Sequence, residues 1–177
     1  EIKVVISNNK NAYALERAKN HGIEALCISP KDYEDRAQFN EAFLAKLDSY
    51  DVDLVVLAGF LVVIPPAMIA KYRNRIVNIH PSLIPSFCGP GFYGQHVHRA
   101  AFKRGVKVSG ATVHFVSSVV DGGPIILQEA IDVSMANSPE EIGEIILKNV
   151  EHKLLVKAVS LYCDDRLEVI NERVVLK

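Results

Sequence analysis

Short β-branched segments alternate with longer helical segments through the first half of the chain, and this alternation constrains the fold most. Strands are predicted at residues 2–6, 24–28, 54–57 and 75–79, with helices at 12–21, 35–50 and 66–72. Strands separated by helices form parallel sheets through right-handed crossovers. We therefore predict an α/β fold with a Rossmann-like, mostly parallel sheet and flanking helices.

The second half of the chain has a different pattern. A Gly/Pro-rich loop at residues 82–94 precedes a helix at 95–103, and strands are predicted at 108–115 and 124–133. A capping box at Ser138 opens a helix that is predicted to run to Leu161. Segments 166–170 and 173–176 resemble a closing hairpin. This half predicts a C-terminal antiparallel portion.

Composition favours a small-molecule partner over nucleic acid or an anionic membrane, because the formal net charge is only −1. Cys27, Cys88 and Cys163 are odd in number and form no C-x-x-C pair, which argues against a disulfide framework or a zinc site. The longest uncharged run, residues 54–70, is broken by Gly59 and two prolines, so it predicts no membrane span. We expect a cytoplasmic protein without a metal ion.

Asn78 and His80 form the first candidate chemical site. Residues two apart on a strand point to the same side, so an amide and an imidazole lie side by side where Pro81 ends the strand. Ligands of such sheets bind at the carboxyl ends of the strands. Acyl transfer uses this pair of groups: one stabilises an oxyanion and the other moves a proton.

Asp121 supplies a carboxylate on a glycine-flanked turn, Asp121-Gly122-Gly123. If it pairs with His80, it favours the charged imidazolium and orients the ring. His114 precedes Asp121 on the same arm and is a candidate to support it. A structural histidine and an ordinary Asp-Gly-Gly turn remain the alternative interpretation.

Three motifs in order extend this evidence: N-I-H-P-S-L-I-P at residues 78–85, G-A-T-V-H-F-V at 110–116 and D-G-G-P-I-I-L-Q at 121–128. Together they closely resemble the folate-dependent formyltransferases, in particular the members that act on glycinamide ribonucleotide in purine biosynthesis. The resemblance covers nearly the whole chain. It implies the formyltransferase fold, with 10-formyltetrahydrofolate as cosubstrate and glycinamide ribonucleotide as the acceptor.

The resemblance also implies roles for individual residues. The amine of glycinamide ribonucleotide would attack the formyl carbon, Asn78 and protonated His80 would stabilise the tetrahedral oxyanion, and Asp121 would keep His80 charged. Neither a metal ion nor a covalent enzyme intermediate is implied. The implied folate-binding residues are Arg36, Leu61, Val62, Val63, Ile64, Asn78, Ser117, Ser118, Val119, Val120 and Asp121.

The ribonucleotide would be contacted by Glu151 at the other end of the site, again by resemblance. For both Arg36 and Glu151 a solvated helix charge is the alternative. The family normally has a further strand, a phosphate-binding loop and a helix before the strand predicted at residues 2–6, and this sequence begins after them. We therefore expect residues 1–177 to be one formyltransferase domain that lacks this part.

Several functions stay open from the sequence. The chain could be another 10-formyltetrahydrofolate-dependent enzyme, such as a methionyl-tRNA formyltransferase, a sugar-nucleotide formyltransferase or a formyltetrahydrofolate hydrolase. It could also be an inactive folate-binding fragment. Turnover that depends on the amine acceptor distinguishes these cases.

Overall fold

The computed structural model describes residues 1–177. These residues form two compact units, residues 1–53 and 54–177. The prediction of one domain that lacks an N-terminal part stays a prediction. The elements of the first unit are β1 (Val4–Ser7), α1 (Tyr13–Asn20), β2 (Glu24–Cys27), a 3-10 turn (Pro30–Asp32) and α2 (Arg36–Asp48).

The first unit pairs β1 with β2 in parallel, as the alternation of strand and helix predicts. Helix α2 begins after Asp35, whose carboxylate accepts a hydrogen bond from the Gln38 amide at 2.8 Å. Its apolar stripe buries Phe39, Phe43 and Leu47, and the two phenylalanine rings stack at 5.6 Å. The helix predicted at residues 35–50 is therefore confirmed, and it has one buried stripe.

The second unit carries six strands and four α-helices. The strands are β3 (Val55–Leu57), β4 (Ile76–His80), β5 (Val108–Phe115), β6 (Ile125–Asp132), β7 (Leu167–Ile170) and β8 (Arg173–Leu176). The helices are α3 (Pro66–Lys71), α4 (Gln95–Arg104), α5 (Pro139–Ile146) and α6 (His152–Cys163), with a π-helical turn (Leu147–Glu151) between the last two.

A four-stranded sheet in the order β3-β4-β5-β6 organises this unit. Strands β3 and β4 run parallel, whereas β4, β5 and β6 are successively antiparallel. Strands β7 and β8 form a separate hairpin with Asn171 and Glu172 at positive φ. The predicted α/β class, with parallel strands first and antiparallel strands later, is confirmed.

The core of the second unit lies between this sheet and the helices α5 and α6. Strand β5 is buried along nearly its whole length, which removes a large apolar area from water. The buried apolar cluster consists of Val77, Ile79, Ala111, Val113, Phe115, Ile126, Val133, Ile142, Ile146, Val150, Leu154 and Ala158. This packing fixes β4 and β5 against each other, and both strands contribute side chains to the site described below.

Two expectations need correction. The run at residues 54–57 predicts a strand covered on both faces, but Val56 is 41% exposed and β3 forms the edge of its sheet. The helix predicted from Ser138 to Leu161 is interrupted, because the backbone widens into a π-helical turn before α6 continues to Cys163. Other boundaries agree with the prediction within one or two residues.

None of the helices has both the length and the apolar character that are required to span a bilayer. Cys27, Cys88 and Cys163 are all free thiols.

Candidate active site

A cavity of about 1320 Å³ opens at the carboxyl ends of β3 and β4, inside the second unit. This is the edge of the sheet at which the sequence predicts a ligand site. The cavity is lined by Asn78, His80, Asp121 and Glu151, and by the predicted folate segments 61–64 and 117–120. Every site residue predicted from the sequence except Arg36 therefore lines one cavity.

Asn78 and His114 lie opposite each other across the antiparallel pair β4 and β5. The amide nitrogen Nδ2 of Asn78 lies 3.2 Å from Nε2 of His114, and Nδ1 of His114 lies 2.9 Å from the Phe115 carbonyl oxygen. A carbonyl only accepts, so Nδ1 carries the hydrogen and Nε2 accepts from Asn78. This bond orients the Asn78 amide and leaves its second N–H and its oxygen for the cavity.

His114 is a neutral member of the site. Burial lowers its pKa, and this effect exceeds the opposing effects of the Phe115 carbonyl and the Asp121 carboxylate. Its Nε2 lies 3.8 Å from Oδ1 of Asp121, a contact between a neutral ring and a carboxylate rather than an ion pair. From the sequence, His114 is predicted only to support Asp121. Its bond to Asn78 was not predicted, because that bond depends on the register between β4 and β5.

His80 and Asp121 approach each other from different segments, and both side chains are largely buried. Nδ1 of His80 lies 3.6 Å from Oδ2 of Asp121, and that oxygen also accepts a hydrogen bond from the Gly89 amide at 2.8 Å. On the other side of the ring, Nε2 of His80 donates to the Phe87 carbonyl oxygen at 2.9 Å. The loop after β4 therefore holds both the imidazole and the carboxylate.

The turn that presents Asp121 depends on its two glycines. Asp121 has a φ of 54°, in the left-handed region that few residues with side chains adopt. A Cβ atom on Gly123 would collide with the Phe115 carbonyl oxygen, and one on Gly122 would lie 2.7 Å from Cγ1 of Val119. Gly123 is thus required for the close approach of this turn to β5, and Gly122 for its packing against Val119 within the turn.

One wall of the cavity is apolar and open to solvent. Leu61, Val63 and Val119 are 62%, 68% and 65% exposed, although large apolar side chains are normally covered. They belong to the two segments predicted to hold the folate. The apolar wall is well suited to a flat, partly aromatic ligand.

Glu151, the last residue of the π-helical turn, also lines the cavity. Burial raises the pKa of its carboxyl group. The π-helical turn sets the direction in which Glu151 leaves the helix, and such turns often occur at functional sites.

Arg36 lies at the start of α2 in the first unit, where its guanidinium stands 5.1 Å from the ring centroid of Phe39. Its predicted contact with folate stays a prediction.

His98 is a lining residue that the sequence analysis did not single out. Its ring packs against Gly143, where an added Cβ would lie 2.9 Å from the imidazole carbon Cδ2. Burial lowers the pKa of His98, and its Nδ1 has no hydrogen-bond partner. No group of three or more His, Cys, Asp or Glu side chains is arranged to hold a metal ion.

The fold and this site define an enzyme of formyl transfer. The Formyl transferase family model matches residues 1–159, and the chain belongs to this family. It is 35% identical over 168 residues to phosphoribosylglycinamide formyltransferase of Escherichia coli, covering 95% of this chain and 76% of that protein. Glycinamide ribonucleotide transformylase 1 from Symbiobacterium toebii has a similar structure, with a TM-score of 0.92 and 41% identity over 99% of this chain and 80% of that chain.

A second activity also occurs among similar structures. A formyltetrahydrofolate deformylase from Pseudomonas syringae has a TM-score of 0.87 and 30% identity, and the match covers 99% of this chain and 56% of that one. The family predicted from the three sequence motifs is confirmed.

Proposed function

We propose that this chain transfers the formyl group of 10-formyltetrahydrofolate to the amine of glycinamide ribonucleotide. The observation that carries the proposal is the convergence of Asn78, His80 and Asp121 on one cavity that also has an apolar wall. The family and the similarity to phosphoribosylglycinamide formyltransferase support the same reaction. The reaction exchanges one C–N bond for another, because the amine nitrogen bonds to the formyl carbon and folate N10 leaves.

Asn78 is the proposed oxyanion donor. When the amine attacks, the carbonyl electron pair moves onto the formyl oxygen, which then needs hydrogen bonds that are already oriented. The bond of Nδ2 to His114 provides that orientation, because one amide N–H is fixed and the other is directed by the planar amide. Neutral His114 fits this role, since a charged ring would have no lone pair to accept the bond.

His80 and Asp121 are the proposed proton-handling pair. Nε2 of His80 donates to the Phe87 carbonyl, so a second proton is taken up at Nδ1, which faces Asp121. Protonated Nδ1 donates to the developing oxyanion, and the Asp121 carboxylate beside it stabilises the cation. The proton lost by the attacking amine is delivered to folate N10, so that a neutral amine leaves.

The two ends of the cavity have different proposed ligands. The exposed apolar side chains of Leu61, Val63 and Val119 cover the pterin ring, and the main chain between Leu61 and Ile64 pairs with its polar edge. Glu151 accepts hydrogen bonds from the ribonucleotide hydroxyls. Arg36 is the proposed contact for the charged tail of the folate.

The proposal extends to the setting of the protein. Its partners are two small molecules, and the net charge of −1 provides no field that would attract nucleic acid or an anionic membrane. Three free thiols agree with a reducing compartment such as the cytoplasm. The catalytic steps above need no metal ion, because positioned side chains supply both the oxyanion donors and the proton.

The test is deformylation of 10-formyltetrahydrofolate, followed by absorbance with and without glycinamide ribonucleotide. We compare the unmodified chain with His80→Ala and with the control His21→Ala, since His21 is exposed and its ring bonds to the Arg17 carbonyl, away from the cavity. Binding of the folate is measured separately by calorimetry. We expect ribonucleotide-dependent turnover that falls by about 10²–10⁴-fold in His80→Ala and is unchanged in His21→Ala.

Other outcomes identify other functions. Deformylation that proceeds equally without the ribonucleotide would indicate a hydrolase, as the deformylase neighbour suggests. Folate binding without any turnover would indicate a binding module. Turnover that survives His80→Ala would overturn the proposed mechanism.

A further inference from the structure

The imidazole of His80 is held by a main-chain group as well as by Asp121. Nε2 lies 2.9 Å from the Phe87 carbonyl oxygen, and the residue is only 4% exposed. A carbonyl cannot donate, so Nε2 must carry hydrogen in the neutral as well as the charged ring. The lone pair of the neutral ring is then on Nδ1, the nitrogen that faces Asp121.

Asp121 by itself favours the opposite arrangement. A carboxylate near Nδ1 attracts a hydrogen to that nitrogen, and in a neutral ring this would leave Nε2 without one. The distance from Nδ1 to Oδ2 is 3.6 Å, longer than the bond from Nε2 to Phe87. The Phe87 carbonyl is therefore the group that decides which nitrogen is free.

Phe87 has an unusual backbone conformation. Its φ is 49°, in the left-handed region that is unfavourable for a bulky side chain. Such conformations persist only where surrounding contacts hold them, and they are concentrated at functional sites. The position of this carbonyl therefore needs a holding contact.

Ser82 supplies that contact. Its hydroxyl donates to the Ser86 carbonyl oxygen at 2.6 Å and lies 3.4 Å from the Phe87 carbonyl oxygen. Ser82 is fully buried, and its own carbonyl accepts a 2.7 Å bond from the Thr112 hydroxyl of β5. The hydroxyl thus ties the loop to the end of β4, two residues from His80.

We propose that Ser82 is a positioning residue for His80. Its hydroxyl holds the Ser86–Phe87 main chain so that the Phe87 carbonyl fixes the neutral imidazole as the Nε2–H tautomer, with Nδ1 free to gain and lose the proton. The kinetic consequence rests on the proposed function, whereas the tautomer does not. Ser82 does not line the cavity, so it acts through the ring and not on a ligand.

The test is ¹⁵N NMR of protein labelled at histidine, recorded without substrate at a pH where the rings are neutral. The His80 signals are assigned from their loss in His80→Gln. We expect a single Nε2–H tautomer in the unmodified chain and a mixture of both tautomers in Ser82→Ala. Ser82→Thr, which keeps the hydroxyl, should restore the single tautomer, and Ser109→Ala controls for the loss of another buried serine.

The kinetic arm uses the same variants. We expect kcat to fall about tenfold in Ser82→Ala, the effect of one hydrogen bond, with the KM for folate unchanged. A mixture of tautomers in the unmodified chain would overturn the proposal even if no Ser82 variant folds. A pure Nε2–H tautomer in Ser82→Ala would also overturn it, whatever the activity. If the tautomer shifts in Ser82→Ala but even the unmodified chain has no formyl-transfer activity, the proposed function fails and the positioning role stands.

Discussion

The amide of Asn78 bonds to Nε2 of His114 at 3.2 Å, across a pair of strands whose partners are 36 residues apart in sequence. His114 is neutral and almost fully buried, so its ring is shielded from water on the strand side of this bond. A rigid amide is a better oxyanion donor than a mobile one, because it needs no reorganisation during the reaction.

Replacing Asn78 by aspartate removes both N–H donors while keeping the size of the side chain. We expect kcat for formyl transfer to fall by about 10²–10³-fold, the usual effect of losing an oxyanion donor, with folate binding less affected. Steady-state kinetics and calorimetry measure the two effects. Asn20→Asp makes the same chemical change at the exposed end of α1 and should leave both values unchanged; an equal loss there would contradict the prediction.

Asp121→Asn separates charge from hydrogen bonding. The new amide oxygen still accepts from the Gly89 amide, so the turn should keep its place. The negative charge beside Nδ1 of His80 is lost, and we expect kcat to fall about 10²-fold or more with little change in melting temperature. Asp132→Asn is the control, since Asp132 is exposed at the end of β6 and accepts a hydrogen bond from the Ser134 amide. A large drop in melting temperature would point to a structural role for Asp121.

The stability of the fold should depend on the protonation of two of its buried histidines, His98 and His114. Burial lowers the pKa of both His98 and His114 in the folded state. The unfolded state, with an ordinary histidine pKa of about 6.5, therefore binds protons first, and stability is lost as pH falls below about 6.5. Urea unfolding from pH 8 to pH 5 measures this slope.

A variant isolates the contribution of His98 to that slope. His98→Gln removes one titrating group, so we expect a smaller loss of stability between pH 7 and pH 5 than in the unmodified chain. His21→Gln, at an exposed position, should leave the slope as it was. An unchanged slope in His98→Gln would show that the pKa of His98 is the same in the folded and the unfolded state.

The apolar wall predicts a binding defect without a stability defect. Leu61 is 62% exposed, so Leu61→Asp removes little buried area from the fold but places a charge where the folate ring is expected. We expect the KM for folate to rise about tenfold or more, with the melting temperature unchanged. Met135→Asp is the matched control, at a residue that is 85% exposed and outside the cavity. Equal KM values for folate in the two variants would show that Leu61 does not contact the folate.

Local sequence patterns predicted most of the strands and helices of this molecule, because these elements depend mainly on residues that are close in sequence. Pro81 ends a strand, so Asn78 and His80 could be assigned to a strand end and to one cavity. The hydrogen bonds of the site depend on distant segments: Phe87 meets His80 only through a left-handed backbone that no residue type in Ser-Phe-Cys specifies. The π-helical turn before Glu151 is likewise a result of packing, because nothing in its side chains distinguishes it from an α-helix.

Strand β4 lies inside its sheet, with a neighbour on each side, so its amide hydrogens should be among the slowest in the chain to exchange with deuterated water. The glycine-rich segment at residues 90–94 should exchange far faster, since Phe92 has the one backbone amide there that makes a main-chain hydrogen bond. Ligands could then enter and leave through breathing of this segment while the backbone that carries Asn78 and His80 keeps its geometry. Turnover would not require any part of the proton-handling machinery to unfold.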